Sequence, residues 1–354
     1  DIRECIGCNI CVTGDMTGSI SRCTQNTAFM EEWRKGWHPD RARPKGASDS
    51  VLIVGAGPTG LEAALQAARR GYRVTLAEAT TTLGGRVTRE RALPGLSAWG
   101  RVADYRTGQM AVMTNVDIYR DSRLTPEDLL SMQTDHIAIA TGAHWRADAV
   151  ARLHLHPIPT DAAMPIFTPD DLMAGAGPTS GRVALYDDDH FYMGSVLAEL
   201  LISRGCRVDF ITPAVKVAEW TDNTLEQATI MRRLLDIGVE VHLSKAPETI
   251  GEKEITLGCT WTGRTSTIPA DAVVMVTSRI PDDALFHATR ALDWEAAGIK
   301  TLHLIGDAAA PGPIAWATYA GRAWAEGLDT AAIGDALPFR REIAELLPAD
   351  LITP

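Results

Sequence analysis

Residues 51–71 read VLIVGAGPTGLEAALQAARRG, and this stretch is the strongest indication of the fold. It opens with a continuous apolar run, which is typical of a strand buried on both faces. The residues from Leu61 have the apolar spacing of a helix that ends at Gly71. Further strands are predicted at RVTLAE (73–78) and HIAIATGA (136–143). This alternation predicts an α/β fold with a parallel sheet and helices on both faces.

A second strand–helix–strand unit begins at RVALYDDD (182–189) and reaches the strand CRVDFIT (206–212). A late strand, TLHLIGDAAAPG (301–312), suggests that the first domain is completed only after the second is inserted. We therefore predict two Rossmann-like domains, arranged as in glutathione reductase, after a short cysteine-rich segment. The predicted boundaries are 1–48 for the cluster segment and linker, 49–150 plus 285–354 for the nucleotide-binding domain, and 151–284 for the second Rossmann-like domain.

Two finer features are expected in the second half of the chain. KEITLGCTW (253–261) and STIPADAVVMVTS (266–278) are predicted to form a hairpin that leads back to the sheet. The helix after residue 312 carries Trp316 and Trp324, and both are expected to be core side chains.

Composition and charge exclude several classes of function. The chain has 354 residues and a formal net charge of -11 without a basic stripe, so nucleic-acid binding is not expected. It contains neither an apolar run near the roughly 18 residues that span a bilayer nor a secretion signal, so no membrane partner is expected. Four of its six cysteines are clustered near the start, which indicates metal ligation in a reducing compartment, hence the cytoplasm. The chain begins at Asp1, just before its first cysteine, so we expect it to be the back half of a larger protein.

Cys5, Cys8, Cys11 and Cys23 follow the pattern C-x2-C-x2-C-x11-C. Three closely spaced thiolates can hold one face of a compact cluster, and a distant fourth completes the site. Zinc is the main alternative, but its structural sites usually use two separated C-x2-C pairs. Ordinary buried cysteines are a weaker alternative, because they are not clustered in this way. The pattern therefore favours a [4Fe–4S] cluster.

Gly55, Gly57 and Gly60 form a G-x-G-x-x-G motif between the first strand and its helix, and Glu78 ends the next strand. In such a motif the glycines allow a tight turn, a close approach to a pyrophosphate and close packing of helix on strand. The acid accepts hydrogen bonds from an adenosine ribose. This context predicts a site for ADP or an adenine dinucleotide.

Several later turns are expected to contribute to the same site. Gly85 and Arg86 follow Glu78 closely, Thr141 and Gly142 end a strand, and Asp307 ends the late strand. Each of these alone is also consistent with a simple turn. The complete set of predicted nucleotide contacts is Gly55, Gly57, Pro58, Thr59, Gly60, Glu78, Ala79, Gly85, Arg86, Thr141, Gly142 and Asp307.

The second domain is predicted to hold no nucleotide. Its first strand runs into Asp187, Asp188 and Asp189 instead of a glycine-rich turn, and bulky side chains follow at 190–192. Carboxylates at the start of a helix satisfy its positive end and repel a phosphate.

Several stretches together resemble the trimethylamine, dimethylamine and histamine dehydrogenases. The resemblance extends over essentially the whole chain. It rests on RECIGCNIC (3–11), RCTQN (22–26), EEWRKGWHP (31–39), SVLIVGAGPTG (50–60), LPGLSAWGRVADYR (93–106), IAIATGA (137–143) and LIGDAAAPG (304–312).

The resemblance implies that this chain is the C-terminal part of an iron–sulfur flavoprotein that oxidises amines. An N-terminal TIM barrel, absent here, would carry FMN and the amine site, so no catalytic residue is expected in this chain and the amine stays unidentified. The four cysteines match the ligands of a [4Fe–4S] cluster, and the glycine motif matches a site for ADP where related reductases hold FAD. An electron-transferring flavoprotein would accept the electrons, and the complete enzyme would be a homo-oligomer. Arg101 departs from the family, since the trimethylamine enzyme has a docking tyrosine there.

Two alternatives remain. One is the FAD- and NADPH-using half of a 2,4-dienoyl-CoA reductase or another ene-reductase. The 2,4-dienoyl-CoA reductases share this architecture, but they have one more residue between the second and third cysteines. The other alternative is a mainly structural scaffold, in which bound ADP and the two domains only support the cluster and the oligomer.

Overall fold

Two parallel sheets organise the chain. The computed structural model describes residues 2–329, apart from the side chain of Arg34. Asp1 and residues 330–354, which the sequence assigns to the cluster segment and the nucleotide-binding domain, lie outside the described residues. The strands are β1 (Ser50–Val54), β2 (Arg73–Ala77), β3 (Val116–Tyr119), β4 (His136–Ile139), β5 (Ala143–Trp145), β6 (Ile166–Phe167), β7 (Arg182–Asp187), β8 (Arg207–Ile211), β9 (Glu240–His242), β10 (Lys245–Ile250), β11 (Glu254–Cys259), β12 (Thr265–Pro269), β13 (Ala272–Val276), β14 (Arg279–Pro281) and β15 (Thr301–Leu304).

The helices are mostly short. They are α1 (Thr13–Thr17), α2 (Glu32–Lys35), α3 (Pro58–Arg69), α4 (Arg86–Glu90), α5 (Arg101–Met110), α6 (Pro126–Ser131), α7 (Pro169–Met173), α8 (Met193–Ser203), α9 (Gln227–Asp236), α10 (Ala284–Arg290) and α11 (Ile314–Gly327). Among residues 2–329, no helix has both the length and the apolar character needed to cross a membrane.

The first sheet has the order β15-β4-β1-β2-β3, and all its pairs are parallel. β1 lies at its centre, and Val51, Leu52 and Ile53 are buried, which explains the continuous apolar run. β15 pairs with β4 although the whole second unit lies between them in the sequence. The predicted α/β fold with parallel sheets is confirmed.

The second sheet has the order β6-β13-β7-β8-β9 and is also parallel. Between β9 and β13 the chain forms an antiparallel sheet of β10, β11 and β12. The residues of the expected hairpin form β11 and β12, and β13 then returns to the parallel sheet. β5 and β14 pair in antiparallel fashion where the chain leaves the first unit and comes back to it.

Residues 2–48, the cysteine segment, pack against the helices of the first unit. Its buried apolar side chains are Ile6, Ile10, Ala28 and Trp37. Asn9 Nδ2 donates a hydrogen bond to the Thr224 carbonyl at 3.2 Å, so the segment also contacts the second unit.

The prediction that both tryptophans of α11 lie in the core is wrong for one of them. Trp324 is 8% exposed, whereas Trp316 is 39% exposed. Eight residues at 3.6 per turn place two side chains about 80° apart around a helix, so a single buried face does not need to cover both. Trp316 instead lies at the surface, 6.0 Å from the Arg22 guanidinium.

Candidate cluster and nucleotide sites

The four cysteines of the predicted cluster site lie near one another at the surface of the cysteine segment. Cys5 and Cys11 are exposed, Cys8 and Cys23 are partly buried, and all four thiols are free. Burial raises the pKa of Cys8, and the nearby Cys23 and Cys11 raise it further. The pKa of Cys11 is raised by burial and then by Cys23 and Cys5. Because neighbouring thiolates repel one another, this arrangement favours a positively charged metal centre that binds all four.

The spacing of the sulfurs bears on which centre they fit. Among the described residues, the cysteines form no group of three whose sulfurs all lie within 4.8 Å of one another. A single tetrahedral zinc, with Zn–S bonds of about 2.3 Å, holds its sulfurs about 3.8 Å apart. The arrangement is therefore wider than a zinc site and fits a larger cluster.

Several hydrogen bonds reach the sulfurs of this segment. The Gly7 N–H donates to Cys5 Sγ and the Asn26 N–H to Cys23 Sγ, each at 3.3 Å. Thr24 Oγ1 lies 3.2 Å from Cys8 Sγ. Hydrogen bonds to ligand sulfurs tune the potential of iron–sulfur clusters. In the sequence, Thr24 is marked only by its position next to Cys23.

The predicted nucleotide motif forms the turn between β1 and α3. Gly55 has φ +99°, and a Cβ there would lie 2.5 Å from the Ala140 carbonyl oxygen. A Cβ on Gly60 would collide with the Gly55 carbonyl oxygen, so both positions require glycine. A Cβ on Gly57 would have no described neighbour within 4 Å. Open space at the N-terminus of a helix of this length suits a phosphate group.

Glu78 lies directly after β2, beside this turn. Its Oε2 accepts the Ala56 N–H at 2.8 Å, and its Oε1 accepts the Thr80 N–H at 2.9 Å. The carboxylate is therefore fixed against the glycine turn. The Thr80 hydroxyl also donates to Oε1 at 2.8 Å, so Oε2 is the oxygen that keeps a lone pair for a further hydroxyl.

The remaining predicted contacts are arranged around the turn in different ways. Pro58 and Thr59 open α3, and Ala79 is exposed beside Glu78. Gly85 approaches the turn closely, since a Cβ on it would lie 2.8 Å from the Gly57 Cα. Thr141 and Gly142 are instead hydrogen-bonded to the backbone of Asp282. The Thr141 hydroxyl donates to the Asp282 carbonyl, and the Asp282 N–H donates to the Gly142 carbonyl at 2.9 Å.

Arg86 and Asp307 are paired with each other. Arg86 Nη1 lies 3.4 Å from Asp307 Oδ2, and Arg279 Nη1 donates to the same oxygen at 2.8 Å. Burial opposes the charge of Arg86, but the carboxylates of Asp307 and Glu90 hold its pKa above the ordinary value. Both arginines also donate to the Gly312 carbonyl. These side chains therefore form a largely buried charge cluster at the edge of the site.

The corresponding turn of the second unit is filled by carboxylates. Asp187 ends β7 with its side chain fully buried. Its Oδ1 accepts the His190 N–H at 3.3 Å, and its Oδ2 has no hydrogen-bond partner among the described residues. Burial raises the pKa of Asp187 to about 7. Asp188 accepts from His190 Nε2 at 3.0 Å and from the Leu153 N–H at 2.8 Å.

One group of potential metal ligands was not expected from the sequence. Asp209, Glu240 and His242 approach one another on β8 and β9. Arg182 donates to Asp209 at 2.6 and 2.8 Å and to Glu240 at 2.8 Å. Because an arginine already binds both carboxylates, the group is better described as an ion-pair network.

An apolar cavity of about 290 Å³ lies beside Cys8. It is bounded by the cysteine segment, the loop before α5, and helices α8 and α9. Trp99 and Tyr192 form part of its wall, with ring centroids 4.3 Å apart.

Two protein families match the chain in succession. Residues 50–161 match the family described as FAD dependent oxidoreductase. Residues 167–268 match the OYE-like second alpha/beta domain.

Comparison with individual proteins extends this likeness to nearly the whole chain. Dimethylamine dehydrogenase of Hyphomicrobium sp. (strain x) is 32% identical over 97% of this chain and 50% of its own length. The structure of histamine dehydrogenase from Rhizobium sp. 4-9 is 58% identical with a TM-score of 0.95, covering 98% of this chain and 54% of that one. The 6-hydroxypseudooxynicotine amine oxidase from Pseudomonas geniculata N1 is 42% identical with a TM-score of 0.89, covering 93% and 49%. The chain thus spans about half the length of these proteins. Over nearly its whole length, the chain is therefore similar to about half of the dimethylamine and histamine dehydrogenases.

Proposed function

We propose that this chain is the electron-transfer part of an amine dehydrogenase. It would carry electrons from FMN, held in a TIM barrel of the complete enzyme, to an electron-transferring flavoprotein by means of a [4Fe–4S] cluster on Cys5, Cys8, Cys11 and Cys23. The observation that carries the proposal is the convergence of these free thiols at a spacing too wide for one zinc ion. A bound cluster of this kind supplies single-electron transfer.

We propose that the first unit binds ADP. The open space at Gly57, the closely packed Gly60 and the fixed carboxylate of Glu78 support an adenosine diphosphate at the start of α3. FAD is the alternative. It is less favoured because a flavin must extend beyond the pyrophosphate, where Arg86, Arg279 and Asp307 already occupy the edge of the site as a largely buried cluster. Arg86 and Asp307 would then shape the site rather than bind the nucleotide.

The alternative of an FAD- and NADPH-using reductase of the 2,4-dienoyl-CoA type has less support. NADPH would need a free helix N-terminus in the second unit. Asp187 is buried at that position, and Gly194 of α8 packs against it so closely that a Cβ there would lie 2.9 Å from the Asp187 Cγ. A pyrophosphate would have to displace this carboxyl group.

We place the exit for electrons at the surface around Cys5 and Cys11, since these are the exposed ligands. Arg101 Nη1 donates to the Cys5 carbonyl at 2.9 Å, and its Nε pairs with Glu4 Oε2 at 2.9 Å. The acceptor would therefore meet a charged pair here rather than a tyrosine. A cytoplasmic homo-oligomer is the assembly that we propose for the complete enzyme.

Anaerobic reduction of the intact protein tests this function. We expect iron and acid-labile sulfide in the purified protein, ADP in the supernatant after denaturation, and an electron paramagnetic resonance signal of a reduced cluster after addition of dimethylamine or histamine. NADPH should produce no such signal. Release of FAD, or reduction by NADPH, would instead support the reductase alternative. If amine-driven reduction proceeds equally well after ADP is removed, the nucleotide domains act mainly as a scaffold.

A further inference from the structure

We propose that Thr24 raises the reduction potential of the cluster by donating a hydrogen bond to Cys8, and that Arg106 positions Thr24 for this role. The inference rests on the proposed cluster. It adds a residue that is not itself a ligand.

The direction of the hydrogen bond follows from the chemistry of the ligand. Thr24 Oγ1 lies 3.2 Å from Cys8 Sγ, and in the free protein either atom can donate. A cysteine that binds iron is a thiolate without a proton, so the threonine hydroxyl must then be the donor. Thr24 is only 3% exposed, so water has little access to compete for this hydroxyl.

The backbone of Thr24 is held from two sides. Arg106 Nη2 donates to its carbonyl at 3.3 Å, and Thr318 Oγ1 donates to the same oxygen at 3.2 Å. Arg106 also donates from Nη1 to Gln25 Oε1 at 3.0 Å, which fixes the next residue. The hydroxyl is therefore presented to the sulfur by a backbone that has little freedom.

Arg106 is itself locked in position. It is fully buried on α5, and its Nε donates to Glu62 Oε2 of α3 at 2.6 Å. Burial raises the pKa of Glu62, but Arg106 and the hydroxyl of Thr27 outweigh this and hold it below the ordinary value. The chain of contacts from Glu62 through Arg106 to Thr24 thus connects the helix of the nucleotide site to a cluster ligand.

The sign of the effect follows from charge. Reduction adds an electron that is shared by the iron and its sulfur ligands, so a donor at a sulfur stabilises the reduced cluster more than the oxidised one. The hydrogen bonds from Gly7 and Asn26 act in the same direction, but both come from the backbone. Thr24 is the contact that a side-chain substitution can remove.

Redox titration of the intact protein tests the proposal. Thr24→Val removes the hydroxyl and keeps the shape, and Thr24→Ser keeps the hydroxyl. We expect Thr24→Val to be about three- to tenfold harder to reduce, which corresponds to a midpoint potential about 30 to 60 mV lower for one electron. Thr24→Ser should stay near the wild type. Thr13→Val is the matched control, since Thr13 is also 3% exposed in the same segment but donates to the Ile10 carbonyl at 2.8 Å.

Iron content and the spectrum of the reduced cluster are measured on every variant. An unchanged potential in Thr24→Val would overturn the proposal, as would an equal shift in Thr13→Val. If Thr24→Val and Thr24→Ala both lose iron, the role assigned to Thr24 is also wrong, because the residue would then retain the cluster rather than tune it. A wild-type protein without iron would count against the proposed function itself, which separates the two failures.

Discussion

Asp187 is a buried carboxyl group whose protonation should couple the stability of the second unit to pH. Its pKa is about 7, well above the ordinary value of 3.8, because burial disfavours the charged form. The folded protein therefore holds a proton that the unfolded chain releases. The contribution of this protonated carboxyl group to the unfolding free energy is fully present below about pH 4, and it is lost as the pH rises towards 7. We expect the free energy of unfolding to fall by about 3 kcal/mol between pH 5 and 8 through this group, because a fall of about 1.4 kcal/mol per pH unit continues from pH 5 to the pKa of about 7.

Asp187→Asn should remove that loss, since the amide does not ionise. Denaturant unfolding at pH 5 and pH 8 gives the change in unfolding free energy with pH for the wild type and for the variant, and the two changes are then compared. The charged neighbours Asp188, Asp189 and His190 are present in both proteins, so their own titration largely cancels. Asp236→Asn is the control, because the side chain of Asp236 is 68% exposed on α9. A variant with the same pH dependence as the wild type would show that Asp187 is ionised in the fold.

At the scale of single residues, the sequence identifies functional residues that lie close together in the chain. It does not identify residues whose role depends on contacts between distant parts of the chain. Cys5, Cys8 and Cys11 form a pattern within seven residues, and Cys23 is its nearest possible completion. Thr24 has no such pattern. Its contact with Cys8 depends on a fold in the cysteine segment and on Arg106, which is 82 residues away along the chain.

The turn between β1 and α3 contains two glycines that should respond differently to the same substitution. Gly60→Ala places a methyl group against the Gly55 carbonyl and 3.2 Å from Ile53 Cγ2, so the helix must move away from the strand. We expect a loss of about 1–3 kcal/mol in unfolding free energy. Gly57 has φ -72°, which alanine readily adopts. A Cβ there would meet no described atom within 4 Å apart from its own chain neighbours, so Gly57→Ala should change the stability by less than about 0.5 kcal/mol.

The affinity for ADP should respond to Gly57→Ala even though the stability does not. Gly57→Ala should weaken ADP by at least about tenfold while the protein stays stable, because the methyl group enters the space proposed for the pyrophosphate. Thermal unfolding and titration calorimetry on nucleotide-free protein measure the two effects. Retention of full ADP affinity by Gly57→Ala would place the nucleotide elsewhere.

Strands and helices with a regular pattern of apolar residues could be predicted from the sequence, whereas the elements that they pair with were harder to predict. The apolar run of β1 was evident, because a central parallel strand must be apolar on both faces. The helical spacing of α3 was also evident, although the structure buries this helix along almost its whole length, Glu62 and Gln66 included. The hairpin of β11 and β12 was also evident, but β10 was not, since its pairing with β11 is determined by the packing of the second unit. Trp316 was misplaced for the same reason: periodicity gives the direction of a side chain, whereas its exposure depends on what covers that face.

For the whole molecule, the cysteine segment is joined to the first unit mainly by contacts that do not involve the sulfurs. Thr27 Oγ1 donates to the buried Glu62 at 2.7 Å, and Lys35 Nζ donates to the Tyr319 hydroxyl at 2.9 Å. Arg322 donates to the His38 carbonyl at 2.9 Å. These bonds reach α3, which packs on the first sheet, and α11, which packs against α3. Attachment of the segment and ligation of the cluster should therefore be separable.

Cys8→Ser tests that separation. A serine hydroxyl is a poor replacement for a thiolate ligand of iron, so the variant should lose most of its iron and its cluster spectrum. The two sheets should remain folded, because Cys8 is only partly buried and packs against the edge of the core rather than within it, and far-ultraviolet circular dichroism should be unchanged. Cys206→Ser is the matched control: Cys206 is 5% exposed at the start of β8, so this variant should keep its iron. Loss of both sheets together with the iron would show instead that the cluster holds the whole chain together, and full iron in Cys8→Ser would remove Cys8 from the ligand set.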